Sequence, residues 1–174
     1  MNDDKARSHD PASISPAADA SPGPLVPGLE CRVGKAPIVV PVEHVSQILE
    51  LEVSPLPLAR RWINGVAIHD DRLVMMVGLV AAADAGAAAQ PRGRRVSKVI
   101  LLNAPQSKTA WALEVKDVLI VVRASIIERK GRPTRVGDLP YWIVRARTAD
   151  GRSLGWIDVP AMLGDLLSPP RSLA

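Results

Sequence analysis

From residue 25 onward, short apolar runs alternate with polar turns. Residues 37–42 (PIVVPV), 65–68 (GVAI), 73–77 (LVMMV), 96–102 (VSKVILL), 110–115 (AWALEV), 118–122 (VLIVV) and 153–157 (SLGWI) are rich in β-branched and aliphatic side chains, so each predicts a strand. Turn chemistry punctuates them at Asp70-Asp71, Asn103-Ala104-Pro105 and Asp150-Gly151, where polar side chains and glycine adopt conformations that strands avoid. Two stretches predict helices. In residues 42–51, Val45, Ile48, Leu49 and Leu51 fall at roughly helical spacing after Pro41. In residues 159–167, Pro160 stands in the first turn, followed by apolar Met162, Leu163, Leu166 and Leu167. Many short strands with no room for crossover helices predict a mainly β chain, a barrel or sandwich in place of a parallel sheet.

The pattern also sets the limits of the folded part. Residues 1–24 are mostly Ala, Ser, Pro and Asp, with Ile14 the one large aliphatic after Met1. So little apolar surface cannot offset ordering entropy, which predicts a disordered tail, a folded region over 25–168 and a short C-terminal tail over 169–174. A second soft stretch, 84–93 (DAGAAAQPRG), separates two halves that share no long repeat. The 174 residues, 47% apolar and 23% charged, suffice for one ordinary domain with a sizeable core. Cys31 is the single cysteine, which excludes an internal disulfide and a cysteine-rich zinc site. The most apolar stretch, 73–83, falls far short of the roughly 20 residues a helical membrane span needs. The N-terminus carries acids and no apolar h-region, so the expected location is the cytoplasm.

Charge is unevenly spread, at −2 over residues 1–27, −2 over 28–91 and +8 over 92–174. Arg92, Arg94, Arg95 and Lys98 form one basic cluster; Arg129, Lys130, Arg132 and Arg135 form another. Such asymmetry fits solvated loop charge, an acidic protein partner, or a small-barrel nucleic-acid binder with a phosphate track in its C-terminal half. A single-strand binder also needs aromatic platforms between the bases. Only Trp111, Tyr141, Trp142 and Trp156 stand in that half, and Phe is absent.

The order of elements over 31–79, CRVGKAPIVVPVEHVSQILELEVSPLPLARRWINGVAIHDDRLVMMVGL, resembles the CheW-like domain of bacterial chemotaxis coupling proteins. The resemblance rests on Val45-Ser46-Gln47-Ile48, Leu56-Pro57, Trp62-Ile63-Asn64-Gly65-Val66 and Met75-Met76-Val77-Gly78-Leu79, and continues more faintly through residues 96–102, 110–122 and 151–167. Its most specific part is the W-I-x-G-V segment with the Pro-rich loop before it. The resemblance implies two small five-stranded SH3-like β-barrels packed together with short helices. It also implies an adaptor that bridges the cytoplasmic tip of a methyl-accepting chemoreceptor to the regulatory domain of a CheA-like histidine kinase. Such a protein would be cytoplasmic, recruited to receptor arrays and not inserted in a membrane, in flagellar chemotaxis or type IV pilus motility. Carried over position by position, the receptor-facing residues are Val45, Gln47, Gly65 and Asp70, with Trp62, Ile63 and Val66 as further candidates for an apolar groove between the barrels. Two positions depart from the family pattern. Gln47 stands for a usual Glu, and Asp70 for the usual Arg of an N-L-R-G turn, which reverses the charge offered to a partner. Gly78 and Met75 replace the familiar Asp and Pro of the paired strand.

Each candidate also has a structural reading. Trp62 suits a core, Gly65 a strand bend, and Met75 and Met76 alternate faces so that one of them fills the interior. Tyr141 and Trp142 read as packing residues, with an amphipathic strand-edge anchor as the alternative. Catalysis finds no motif: His9, His44 and His69 are scattered, no nucleophile has a partner pattern, and no Gly-rich phosphate loop occurs. A metal site from His69, Asp70 and Asp71 competes with the polar composition that any turn needs. The expectation is a protein with no catalytic residue, no cofactor and no metal, and without nucleic acid as partner.

Overall fold

The computed structural model describes residues 23–34, 36–56, 62–79, 93–105, 107–129, 132–133 and 139–168. The expected tails over 1–24 and 169–174 lie outside them except for Gly23 and Pro24, as do residues 84–92 of the soft stretch. Twelve strands and one α-helix are described. In chain order they are β1 (Val26–Val33), β2 (Ala36–Pro41), a 3-10 turn (Val42–His44), β3 (Val45–Val53), β4 (Ile63–His69), β5 (Arg72–Val77), β6 (Arg95–Leu102), β7 (Ala110–Glu114), β8 (Asp117–Ile126), β9 (Glu128–Arg129), β10 (Arg132–Pro133), β11 (Ile143–Thr148), β12 (Ser153–Ile157) and α1 (Val159–Leu167).

They build two five-stranded units. The first is a closed barrel of order β1-β2-β12-β11-β8, made from both ends of the folded chain. The second, of order β3-β6-β7-β5-β4, comes from the middle. Its outer strands β3 and β4 are joined by the Ser54–Val66 bridge, with both backbone hydrogen bonds at 2.8 Å. β9 and β10 form a separate small ribbon.

One expected element differs. Residues 42–51 are not a helix: a single 3-10 turn leads into β3. The Leu49-Glu50-Leu51-Glu52-Val53 run explains it, since strict alternation of aliphatic and acidic side chains is the two-residue period of a strand. Leu51 and Val53 point inward while Glu50 and Glu52 face water. The helix expected over 159–167 is α1. Asp158 caps it by accepting from the Ala161 N–H at 3.0 Å, and Val159, Met162 and Leu166 form its buried stripe.

Three apolar clusters organise the packing. Val39, Val122, Ala124, Val144, Ala146, Leu154 and Trp156 fill the first barrel. Leu51, Val53, Ala67, Val74, Met76, Val99 and Ala112 fill the second. The largest cluster lies between the barrels, where Cys31, Ile38 and Val40 of the first meet Ile63, Val77, Ile100 and Leu113 of the second, with α1 along the seam. Trp62 and Trp142 sit in this layer edge to face, ring centroids 6.1 Å apart at 78°, a favoured aromatic geometry. Trp142 is fully buried and its indole N–H reaches Asp165 at 3.4 Å, whereas Tyr141 is exposed. Met76 fills the second barrel and Met75 packs half-buried against the central layer.

Candidate functional site

The rim of the second barrel carries a wide opening. The β4–β5 hairpin turns through Asp70 and Asp71, whose φ values of +48° and +58° give the left-handed pair that matches strand twist in a two-residue hairpin. Across from it, β3 is irregular between Val45 and Gln47, leaving Ser46 as an extra residue. Such a bulge re-aims neighbouring side chains. Ser46 and Gln47 therefore share a cleft of about 990 Å³ with His69, Asp70, Arg72, Asn103 and Lys108. His69 Nε2 lies 3.4 Å from the Asp70 carboxylate.

A smaller, apolar groove of about 350 Å³ adjoins it, between α1 and the β6–β7 connection, lined by His44, Val159, Pro160, Leu163 and Leu167. Asn103, Ala104, Pro105 and Ser107 line both, so a single wall separates a polar cleft from an apolar groove. This pairing of apolar area with a charged rim is the composition of a protein-docking surface.

The seven candidate positions divide between rim and interior. Gln47 and Asp70 are exposed and share the cleft. Val45 is half-buried against the central layer. Trp62 and Ile63 belong to that layer, and Val66 is half-buried and held by the bridge to Ser54. Gly65 is what allows the bridge. A Cβ there would come within 2.6 Å of both the Ser54 carbonyl oxygen and Val53 Cγ1, so any side chain would push β3 and β4 apart. Leu163, Leu167, His44 and the Asn103–Pro105 wall were not legible as a site. Their one sequence signal is Leu163 and Leu167, four apart on one helix face.

A polar cluster braces the other end of the second barrel. Glu114 accepts hydrogen bonds from Arg95 Nε at 3.2 Å and Nη2 at 2.9 Å, from Ser97 Oγ at 2.6 Å, and from the Asn64 amide. Burial on its own would raise the Glu114 carboxyl; the Arg95 and Ser97 hydrogen bonds, the Arg95 charge and the Asn64 contact outweigh it and hold the carboxyl below its ordinary value. Gly78 leaves the room Asn64 needs, since a Cβ there would fall 2.1 Å from the Asn64 amide nitrogen. On the first barrel, buried Glu30 receives Arg152 in two hydrogen bonds of 3.1 and 3.0 Å. Burial, then the Glu30 charge, pushes the Cys31 thiol up to about 12, so this cysteine is no nucleophile at neutral pH.

Within the first basic cluster, Arg94, Arg95 and Lys98 each face a carboxylate of a neighbouring strand. Arg95 is held by Glu114, Arg94 lies 3.6 Å from Glu52, and Lys98 stands opposite Glu50 in the β3–β6 register. Trp111, Trp142 and Trp156 are buried, leaving Tyr141 alone exposed among the aromatic residues of that half. Among the described residues these buried rings form no stacking track beside the basic side chains. Arg92 and the side chains of Arg129, Lys130, Arg132 and Arg135 lie outside the described residues. Among the described residues no group of three His, Cys, Asp or Glu side chains converges, and no helix is long and apolar enough to cross a membrane.

Comparison with known proteins agrees with this architecture. No curated protein matches the chain. Among solved structures, the scaffolding protein TtCheW from Thermoanaerobacter tengcongensis superposes with a TM-score of 0.54 at 14% identity, over 76% of this chain and 88% of that one. The family model for the CheW-like domain matches residues 27–167, from the second residue of β1 to the last of α1. Two fused barrels and a match over most of their length place the chain in the CheW-like domain family, a family of chemotaxis scaffold and adaptor proteins.

Proposed function

We propose that this protein is a non-catalytic cytoplasmic adaptor that couples the tip of a chemoreceptor to the regulatory domain of a histidine kinase. The observation that carries the reading is the junction of the two openings on the second barrel's rim. Gln47 and Asp70 stand in the polar cleft, directly across one wall from the apolar groove bounded by Leu163 and Leu167. Apolar area supplies affinity and the charged rim selects the partner. With Asp70 where related domains carry Arg, the receptor of this protein presents a basic side chain at that point, in a flagellar or a pilus pathway.

The test is affinity capture of the full chain from its own cells at moderate salt, with mass spectrometry of what co-purifies and an absorbance ratio for nucleic acid. A multidomain histidine kinase and a chemoreceptor are the expected partners. Asp70→Arg is expected to reduce receptor recovery about tenfold, the scale of a like-charge contact of about 1.4 kcal/mol, and to spare the kinase. Nucleic acid without a kinase would contradict the reading.

A further inference from the structure

Among the described residues, the longest strand of the first barrel has a bare edge over 117–122. β8 pairs with β1 along nearly its whole length, but with β11 only through Ala124, Ser125 and Ile126. Among the described residues, positions 117–122 therefore carry no strand on their second side. The register between β1 and β8 is irregular here: one residue of β1, Glu30, faces both Leu119 and Ile120. Such a bulge breaks the alternation of faces. Three consecutive aliphatic side chains are exposed in consequence, Leu119 by 42%, Ile120 by 57% and Val121 by 63%.

Proteins normally blunt a free edge with a lysine, a proline or an inward charge. Residues 118–122, VLIVV, contain none of these. The charges stand at the two ends of the run, Asp117 and Arg123. Neither forms an ion pair among the described residues, although Asp117 lies opposite Arg32 in the β1 register. This spacing is self-complementary. In an antiparallel pair of identical strands centred on Ile120, Leu119 meets Val121 and Val118 meets Val122; past the end of that ladder, where the Arg123 carbonyl already accepts from the Ala149 N–H at 3.1 Å, the side chains of Asp117 and Arg123 face each other twice, once on each side of the axis.

We propose that β8 pairs antiparallel with β8 of a second copy about a two-fold axis at Ile120, making a homodimer that joins two first barrels edge to edge. A two-fold contact uses the same patch on both partners and closes on itself, while strand addition satisfies the outward N–H and C=O groups of the bare edge. The contact is small, below the roughly 1,200 Å² of standard interfaces, so the dimer is weak and reversible. It leaves the rim of the second barrel untouched, and stands or falls independently of the coupling role.

Sedimentation velocity of the full chain over a concentration series tests it. A monomer–dimer equilibrium is expected. Ile120→Lys and, as a second exposed position, Val121→Lys should each weaken it at least tenfold while the circular dichroism spectrum is retained. Asp117→Arg and Arg123→Asp should each weaken association several-fold, and the double reversal should restore most of it, because like charges then face opposite ones again. Ile120→Cys should yield an oxidised dimer under conditions where Ile48→Cys, exposed on β3, does not. A monomer at every concentration, an association indifferent to Ile120→Lys, or a double reversal weaker than either single one would overturn the proposal.

Discussion

The two barrels share a plan and differ in how they close. In each, one parallel pair, β2 with β12 and β5 with β7, stands among antiparallel neighbours. Read as rings, β1-β2-β12-β11-β8 and β4-β5-β7-β6-β3 have the same succession of pairings. The first closes through a ladder at every junction, the second at its last junction through the single Ser54–Val66 bridge. The barrel that carries the cleft is thus the one with the slighter closure. A docking rim gains from a seam that yields locally, provided something else holds the barrel in place. The central apolar layer does so, since it takes residues from both barrels and α1.

The largest effect should come from breaking that layer. Trp142→Ala removes a fully buried indole packed edge to face against Trp62 and is expected to cost about 3–5 kcal/mol. Denaturant unfolding followed by near- and far-ultraviolet circular dichroism should show both barrels melting in one earlier transition. Survival of the first barrel after loss of the second would show that the layer does not couple them.

Next comes the seam. Gly65→Ala places a methyl against the Ser54 backbone and Val53, with an expected cost of about 1–3 kcal/mol. Hydrogen exchange should speed up at the Ser54 and Val66 amides and their neighbours in β3 and β4, leaving β1, β2 and β12 protected. Equal loss of protection in both barrels would remove the distinction drawn between them.

The polar brace gives a smaller, pH-dependent effect. The Glu114 carboxyl is held below its ordinary value, so the charged form is favoured by folding. Its contribution is complete above the ordinary glutamate pKa of about 4.3 and is lost as pH falls through the lower folded value. Glu114→Gln is expected to cost about 1–2 kcal/mol at neutral pH and to flatten the fall of stability as pH drops below the ordinary glutamate pKa of about 4.3. A variant with unchanged acid dependence would show that Glu114 is not the group responsible.

The smallest effect sharpens the comparison from the rim. Asp71→Gly relieves a left-handed φ of +58° and should raise stability by about 0.5 kcal/mol. Thermal denaturation checks the sign, and Asp70 keeps its place in the cleft.

Much of the architecture was legible because alternation is a local signal. The edges of β12 and α1 coincide with the expected residues 153–157 and 159–167, and Asp70-Asp71 is the hairpin turn its composition suggested. Residues 42–51 misled because Val45, Ile48, Leu49 and Leu51 fall at helical spacing, whereas strand alternation shows only in Leu49-Glu50-Leu51-Glu52-Val53; Ile48 is exposed and the bulge at Ser46 interrupts the pattern before it. The repeated plan of the barrels left no trace in sequence, for the strand equivalent to β8 is β3, which precedes its hairpin where β8 follows. The candidate site was legible in part. Gln47 and Asp70 were visible as departures from the family pattern, whereas the groove requires α1 to meet the Asn103–Pro105 wall, a contact between segments about 60 residues apart. Nor does local pattern show that Gly65 serves the seam, since the atoms it must avoid belong to Val53 and Ser54.

The coupling role is tested most directly by mixing the full chain with a purified receptor tip and the kinase regulatory domain and measuring the assembly by sedimentation. A ternary complex is expected, in which Asp70→Arg weakens the receptor about tenfold and Leu163→Lys at least as much, with the kinase still bound. A chain that binds neither protein, or binds both equally well with those two positions changed, would contradict that role.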